Sequence, residues 1–539
     1  MKDVIEVIVV GSGCSASMAA QTLVEAGKQV VMVDVGYLPD PSTKQVPDKD
    51  FLSLRNTDKD QHLYLIGKDA SGISWGDVGK GEQITPPRSH IFSGTENLIP
   101  IRSKTFNPIE SLAYGGLGAG WGLQCWKFSD YDLRESGLDA SRMNDAYEKV
   151  ASRVGISATN DVAAKYTING LQNYQPSPKL DRNHQYIQWL YDKNQRSLQK
   201  KGFILGRTPL ALITKDYEGR KGYQYRDMDF YSDNDRSAWR PWMTVDKLRQ
   251  GKNFTYMPGL LITKFAEKAS YTEVHAIDTT SNEKKILKCK RLVLACGALG
   301  SARIALRSNN NYTTKLPLLC NSYRYVPCIQ PKYVGKRAEK RKLGFTQLSL
   351  FYDPKGANED VSVSSLYSYQ SLMLFRLIRH IPLNFVDARA ITQYLMSGLV
   401  IMGIHHPDRQ SKDKYLQLTK DTNSLVGDHL HAHYSLSKSE KNEYRHREKA
   451  YLKAMRRMKT YGLKILDPGN GASIHYAGTL PFSDKKQQYR LSPSGRLHNT
   501  TSVYVADGSG FKYLPAKGLT FSLMANAHIV AGNVIRDEA

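Results

Sequence analysis

The first 36 residues constrain this chain more than any other stretch. The apolar run Val4-Ile5-Glu6-Val7-Ile8-Val9-Val10 reads as a buried strand and leads straight into Gly11-Ser12-Gly13-Cys14-Ser15-Ala16. Ala19, Ala20, Leu23 and Val24 follow at helical spacing, and Gly27 stops that helix. A second apolar strand, Val30 to Val33, ends at Asp34 and is followed by Val35-Gly36. Asp34 stands 21 residues after Gly13, close to the roughly 20 expected between the glycine turn and the acidic residue of a dinucleotide-binding βαβ unit. Each position has a mechanical reason. Gly11 permits a tight turn, Gly13 lets backbone approach a pyrophosphate at a helix N-terminus, Ala16 lets helix pack on strand, and a carboxylate at Asp34 accepts hydrogen bonds from a ribose diol.

Composition narrows the class further. With 539 residues, 41% hydrophobic and 23% charged, the chain is long enough for one large domain or two to three smaller ones, and collagen-like or disordered readings fall away. Lys and Arg exceed Asp and Glu by 24, a charge that draws anionic partners and says nothing about fold. Six cysteines (Cys14, Cys125, Cys289, Cys296, Cys320, Cys328) show no CxxC pair and no zinc spacing, which points to reduced thiols in the cytoplasm. The N-terminus lacks the basic region, apolar core and small-residue cleavage site of a signal peptide.

Further along, Gly115-Gly116-Leu117-Gly118-Ala119-Gly120-Trp121-Gly122 places five glycines in eight residues, so backbone amides meet a flat or anionic ligand without intervening Cβ atoms. Trp121 and Trp126 argue for an ordered loop. Asn253 to Tyr256 and Leu260 to Phe265 read as strands around Pro258-Gly259. Arg291 to Ala295 is a buried strand that ends in Cys296-Gly297-Ala298 before a helix from Ser301 to Arg307, a second strand-to-helix junction of nucleotide-binding type. Between Leu366 and Ile404 a leucine-rich stretch (Leu372, Met373, Leu374, Phe375, Leu377, Ile378) is interrupted by Arg376 and Arg379. Its uncharged run, Ala390 to Ile404, is 15 residues long, short of the roughly 20 that cross a bilayer. Two readings stay open there, a basic amphipathic surface helix or a lid or core element. His429, His431 and His433 share one face if their segment is a strand, but no nearby acid completes a ligand set, so no metal is expected. The last seventy residues carry His475-Tyr476-Ala477-Gly478-Thr479, the strand Val503 to Val505 with Ala506-Asp507-Gly508-Ser509, and a closing helix from about Thr520 to Ile535.

Taken together, Gly11-x-Gly13-x-x-Ala16 with Asp34-Val35-Gly36, the Gly115-Gly116 loop, Ala295-Cys296-Gly297-Ala298-x-x-Ser301, His475-x-x-Gly478-Thr479 and Val505-Ala506-Asp507-Gly508-Ser509 resemble the glucose-methanol-choline (GMC) flavoprotein oxidoreductases. The Gly-rich loop followed by Phe128-Ser129-x-x-Asp132-Leu133 is similar to the pyranose-oxidase-like branch and to members associated with bacterial polysaccharide pathways. The resemblance implies an α/β chain with a Rossmann-like FAD-binding domain (1–150, 206–308 and 470–539) and a discontinuous α+β substrate domain (151–205 and 309–469, with the apolar basic insert 366–404). It implies FAD with its pyrophosphate on Gly11, Ser12, Gly13, Cys14, Ser15 and Ala16, and its adenosine ribose on Asp34, beside Val35 and Gly36. Ile262 falls near the adenine and Ala295 and Gly297 on the second turn. Gly115, Gly116, Ala119, Gly120 and Trp121 lie beside the flavin, and Asp507 and Gly508 at the phosphate-ribityl region. Leu519 and Thr520 open the last helix toward the flavin pyrimidine, where a helix N-terminus favours the anionic reduced ring.

The resemblance also implies the chemistry: a base removes the hydroxyl proton of an alcohol while the carbon gives hydride to flavin N5. His475 matches that base. Two departures stand out. The second active-site position, His or Asn in the family, falls on Gly518, so His405 or His406 is expected to supply the second polar contact, with His406 as the second catalytic candidate, unless the alignment shifts locally or substrate hydroxyls are held differently. The flavin-linking His of the pyranose-oxidase loop falls on Gly120, so FAD is expected to be noncovalent. The expected substrate is an alcohol of a sugar, glycoside or lipid-linked glycan, with a lipid or terpenoid alcohol as the alternative. The electron acceptor stays open among oxygen, a quinone and a protein. The basic, apolar insert adds an expected contact with the anionic inner face of a membrane. A flavin-containing nucleic-acid-binding protein is the remote alternative, weakened by the absence of any nucleic-acid module.

Overall fold

The structure, a computed structural model, describes residues 4–39, 46–65, 86–229, 231–368 and 381–537. Its first body is built on a parallel sheet. The N-terminal strand Ile5–Val10 lies between Val30–Val33 and Lys284–Leu294, all parallel. Phe254–Met257 extends the sheet beyond Val30–Val33, and Val503–Val505 beyond Lys284–Leu294. Both flanking segments are read from sequence as strands, but their neighbours in the sheet are separated from them by hundreds of residues. Lys284–Leu294 is an 11-residue strand whose first half closes an antiparallel meander with Thr272–Asp278 and Leu260–Glu267, and whose second half enters the parallel sheet. The turn at Pro258-Gly259 is therefore not a hairpin: Phe254–Met257 and Leu260–Glu267 sit at opposite ends of the sheet.

The helix Cys14–Glu25 follows the first strand and packs on Thr520–Arg536, which in turn packs on Ala140–Val154. Its buried face carries Ala16, Ala19 and Ala20, each 0% exposed. Residues this small allow the two helices to approach closely and exclude water from the seam. Parallel strands buried on both faces need near-continuous apolar sequence, as Val7 to Val10 and Leu292 to Leu294 supply. The helix after Lys284–Leu294 spans Gly297–Ser308 and so begins four residues before the expected Ser301.

The second body is a six-stranded antiparallel sheet in the order Tyr461–Gly462, Ser322–Ile329, Leu399–His406, Ser362–Tyr367, Leu348–Tyr352, Phe203–Arg207. One face is covered by the helices Arg182–Gln199 and Lys438–Arg457, with Val326, Val400, Met402 and Ile404 packed against Ile187, Leu190, Tyr451 and Met455. The other face turns toward the first body. A smaller sheet of Ile101–Arg102, Asp428–Tyr434, Lys414–Lys420 and Leu316–Pro317 packs into the core of the first body through Leu316, Leu416, Leu418 and Leu430. The stretch 309–469 thus contributes to both bodies.

The uncharged run 390–404 divides at its middle. Its first part ends the helix Phe385–Leu395. Its second part enters Leu399–His406, a central strand buried along its whole length, so these residues are core rather than surface. The leucines and arginines of 372–379 lie outside the described residues. The helix Phe385–Leu395 exposes Phe385, Val386 and Tyr394. Among the described residues no helix is long and apolar enough to cross a membrane.

Candidate active site

An elongated cavity of about 470 Å³ runs along the carboxyl ends of the parallel strands and continues beneath the open face of the antiparallel sheet. Ligands of open parallel sheets bind at these strand ends, where chain turns leave backbone amides unpaired. The turn Gly11 to Ser15 lines one stretch, with Asp34 and Val35 beside it and Ile262 farther along. Gly11 has φ +98°, and a Cβ there would lie 3.0 Å from the carbonyl oxygen of Ala295. Only glycine fits that crossing of the two turns. Ala295, Gly297, Asp507 and Gly508 line the same wall, as do Gly116, Gly120 and Trp121 of the Gly-rich loop. Leu519 and Thr520, at the start of the last helix, close the far side.

Four expected cofactor residues stand behind this wall. Ala16 is in the core under the helix. Ala119 packs against Ile91 and Ala113. Gly115 donates its backbone N–H to Ser12 Oγ at 2.8 Å. Gly36 lies against the Tyr256 ring, whose hydroxyl would collide with any Cβ. These residues shape the wall and do not face the cavity. The Asp507 carboxylate is likewise spent on its own frame, accepting hydrogen bonds from Ser301 Oγ at 2.6 Å and from Ser509 N and Oγ at 3.0 and 2.6 Å. What it leaves for a ligand is the backbone that follows it. Asp34 is different: Ser12 Oγ donates to one carboxylate oxygen, and the side chain stays half-buried at the cavity. Burial pushes its pKa up to about 7.

His475 lines the cavity beside His405 of the antiparallel sheet. It follows Ile474, whose φ of +60° is a genuine outlier for a β-branched residue and turns the chain so that the imidazole lines the cavity. Its Nδ1 lies 3.0 Å from Asn321 Oδ1. Asn321 is buried, and its Nδ2 donates to the carbonyl oxygens of His406 and Pro515 at 2.9 and 3.0 Å. Those partners accept only, so the amide has one orientation and presents its oxygen to His475. The imidazole must then carry its proton on Nδ1, which leaves Nε2 as a lone-pair acceptor. Desolvation by the surrounding walls lowers the His475 pKa to about 4, so the ring is neutral at physiological pH.

His405 and His406 separate onto opposite faces of their strand. His405 lines the cavity, with its ring 5.3 Å from that of His475 and 4.6 Å from Tyr323. His406 points the other way: it stacks on Tyr444 at 4.3 Å, and its Nδ1 lies 3.0 Å from Ser362 Oγ. The expectation that His406 serves as a second catalytic group is therefore corrected. Alternation along a strand admits only one of two neighbours to a given face, and here it admits His405. By the same alternation Tyr323 and Tyr325, Ser365 and Tyr367, and Gly403 with His405 all face the cavity. No sequence motif singles out these residues or Asn321. The Tyr-x-Tyr spacing at 323–325 is the one available signal, and its meaning depends on which face is covered.

His431 and His433 flank the ring of Tyr415, while His429 lies 3.3 Å from Asp421. Among the described residues no three His, Cys, Asp or Glu side chains gather as a metal set. All six cysteines are free thiols.

The fold and cavity together define a class: a Rossmann-like body built on a parallel sheet joined to a second, sheet-based body, with the cavity between the strand ends of one and the open face of the other. Among solved structures, pyridoxine 4-oxidase from "Mesorbium loti" is similar over 99% of both chains, with a TM-score of 0.59 at 12% sequence identity. A likeness at that identity shows the fold. No protein-family model matches the sequence, and no curated protein matches it.

Proposed function

We propose that this chain is an FAD-dependent oxidoreductase that oxidises the CH–OH group of a neutral, polyhydroxylated alcohol such as a sugar or glycoside. The observation that carries this reading is the imidazole of His475, fixed as an Nε2 acceptor in a cavity that is also lined by a dinucleotide turn. The residues present fit an extended dinucleotide. The Gly11 to Ser15 amides and the N-terminus of the 17-residue helix Thr520–Arg536 suit phosphate and an anionic ring, and Asp34 keeps one carboxylate oxygen clear of Ser12 for a ribose diol. FAD, when bound, supplies the two-electron acceptor for the hydrogen on the alcohol carbon. His475 Nε2 takes the hydroxyl proton as the alcohol becomes a carbonyl, and Asn321 Oδ1 holds the imidazole that is then charged. The name of the structural neighbour, an oxidase of pyridoxine, agrees with alcohol oxidation.

The substrate end favours a neutral, hydroxyl-rich molecule. Tyr323, Tyr325 and Tyr367 line it with their rings, together with Thr346, Ser365 and Gln124. Aromatic faces pack on the C–H face of a sugar ring while the polar atoms meet its hydroxyls. Gln124 already pairs with Thr346 and Ser365 through one end of its amide, and a lipid or terpenoid alcohol would leave the other end unpaired, at a cost of about 1–3 kcal/mol.

The test is anaerobic mixing of the purified holoenzyme with a panel of sugars, glycosides, prenyl-linked saccharides and simple terpenoid alcohols. The protein is expected to be yellow, to release FAD on acid precipitation, and to be bleached by members of the sugar panel. Flavin that stays on the precipitated chain overturns the noncovalent assignment, because Gly120 offers no side chain for a link. Bleaching by terpenoid alcohols alone moves the substrate class to the alternative.

A further inference from the structure

The position where the resemblance calls for a second polar side chain is Gly518, and the structure shows what occupies the space instead. Gly518 lines the cavity with His475 and Gln124. Its backbone is not left-handed, and a Cβ built on it would meet Trp126 at 3.4 Å and Gln124 Oε1 at 3.8 Å. The glycine is therefore not required by conformation. What lies over it is the end of Gln124. One end of that amide sits on two hydroxyls: Nε2 donates to Thr346 Oγ1 at 2.6 Å and to Ser365 Oγ at 2.8 Å, which uses both of its hydrogens, and because a hydroxyl also donates, the flipped amide satisfies the same two groups. The amide's other atom has no hydrogen bond from the protein. The floor beneath is rigid, since Trp126 is fully buried and its Nε1 donates to Ser349 Oγ at 3.2 Å. The segment before Gly518 is tethered by Lys517, whose Nζ lies 3.0 Å from buried Asp132.

We infer that Gln124 supplies the second polar contact of the active site, so that a substrate is held at two points, His475 Nε2 and the amide atom of Gln124 that has no protein partner. This deepens the reading above and rests on it. Two polar contacts demand two polar groups. The substrate must bring a second hydroxyl near the one that is oxidised, able to pair with either amide atom, and an analogue lacking it leaves that atom desolvated and unpaired. A site built to hydrogen-bond a hydroxyl rejects the analogue without it more strongly than an apolar pocket rejects an added group. The inference thus names the substrate class more narrowly, as a diol-like alcohol rather than an isolated carbinol.

The experiment uses the holoenzyme with whichever polyol of the panel bleaches it. Gln124→Met keeps the length and removes both polar atoms. It is expected to keep FAD content and melting temperature while weakening substrate binding, read from the spectral shift of the oxidised flavin, by about tenfold or more. The monodeoxy analogue at the neighbouring carbon is expected to bind the wild type about as weakly as the parent substrate binds the variant, and to show no further loss with Gln124→Met. In the Gln124→Ala background, Gly518→Asn returns an amide to the same space and is expected to recover part of the binding. Should Gln124→Met fail to hold FAD, Gly518→Asn alone serves: its amide engages the Gln124 amide and should weaken substrate binding to a similar degree. Substrate affinity within twofold of wild type in whichever of these variants keeps its flavin overturns the inference and leaves the oxidoreductase reading standing. A holoenzyme that no polyol bleaches removes that reading, and this inference with it.

Discussion

Replacing His475 with Ala is expected to slow anaerobic flavin reduction by at least about a hundredfold, the lower end for loss of a general base, while FAD stays bound. FAD should be retained because the residues proposed to grip it, from Gly11 to Ser15 and at Asp34, line a different stretch of the cavity. Stopped-flow reduction at saturating substrate measures the effect, and near-normal reduction would take the base role from His475. The pH profile gives a second handle with a definite sign. Burial holds the folded-state pKa at about 4, below the ordinary value near 6.5, so the neutral acceptor form persists well under pH 6.5. Reduction by substrate should stay level between about pH 5.5 and 8 and fall only as the pH approaches the folded-state value. The same depression makes the unfolded chain bind its proton first on acidification, so this group costs stability as pH falls from about 6.5 toward 4. Asn321→Leu should act on the same step through the ring: with Nδ1 no longer obliged to carry the proton, the Nε2–H tautomer becomes populated. Reduction slows with FAD content unchanged, and the pH profile shifts. A purely structural role for Asn321 would leave that profile in place.

The second large effect is expected at Asp34. Asp34→Ala should weaken FAD binding by about ten- to a hundredfold, as a charge-assisted hydrogen bond of roughly 1.5–3 kcal/mol is lost. Asp34→Asn should fall between, since it keeps an acceptor without the charge. Equilibrium dialysis of deflavinated protein against FAD reads both, and unchanged affinity in Asp34→Ala would move the carboxylate off the ribose. Because burial holds the pKa of the ligand-free protein up at about 7, the acceptor carboxylate forms only as pH rises through that value. FAD binding should therefore tighten from about pH 6 to pH 8 in the wild type and lose this dependence in Asp34→Asn. For the ligand-free protein the raised pKa means that the folded state holds this proton where the unfolded chain has released it. Its contribution to stability is full below about pH 4 and is lost as pH rises toward 7.

Much of the parallel-sheet half is legible in the amino-acid sequence, because its signals are local. A strand, a glycine turn, a helix with alanines on its inner face and a second strand ending in an acid are all set within 36 residues, by sterics and short-range periodicity. The structure returns the same elements at Ile5–Val10, Cys14–Glu25 and Val30–Val33. The junction at Ala295 to Ser301, the strand at Val503 and the closing helix are readable for the same reason. The antiparallel-sheet half is not. Leu399–His406 and the uncharged run before it carry no turn chemistry that separates a core strand from a lid or a surface helix. Burial on both faces removes the polar-apolar alternation that would have marked the strand.

The sequence by itself determined the βαβ unit, the order of its motifs and the placement of His475 after a Gly-rich turn, because sterics and hydrogen bonding within a few residues settle each of them. Only the tertiary structure decided between His405 and His406, since a period of two says that neighbours part and not which face a second body will cover. It also brought Asn321 to His475 and Gln124 over Gly518, contacts made across 154 and about 394 positions of chain. Contacts of such separation arise where strands pair in register and helices dock, and they leave no trace in local composition.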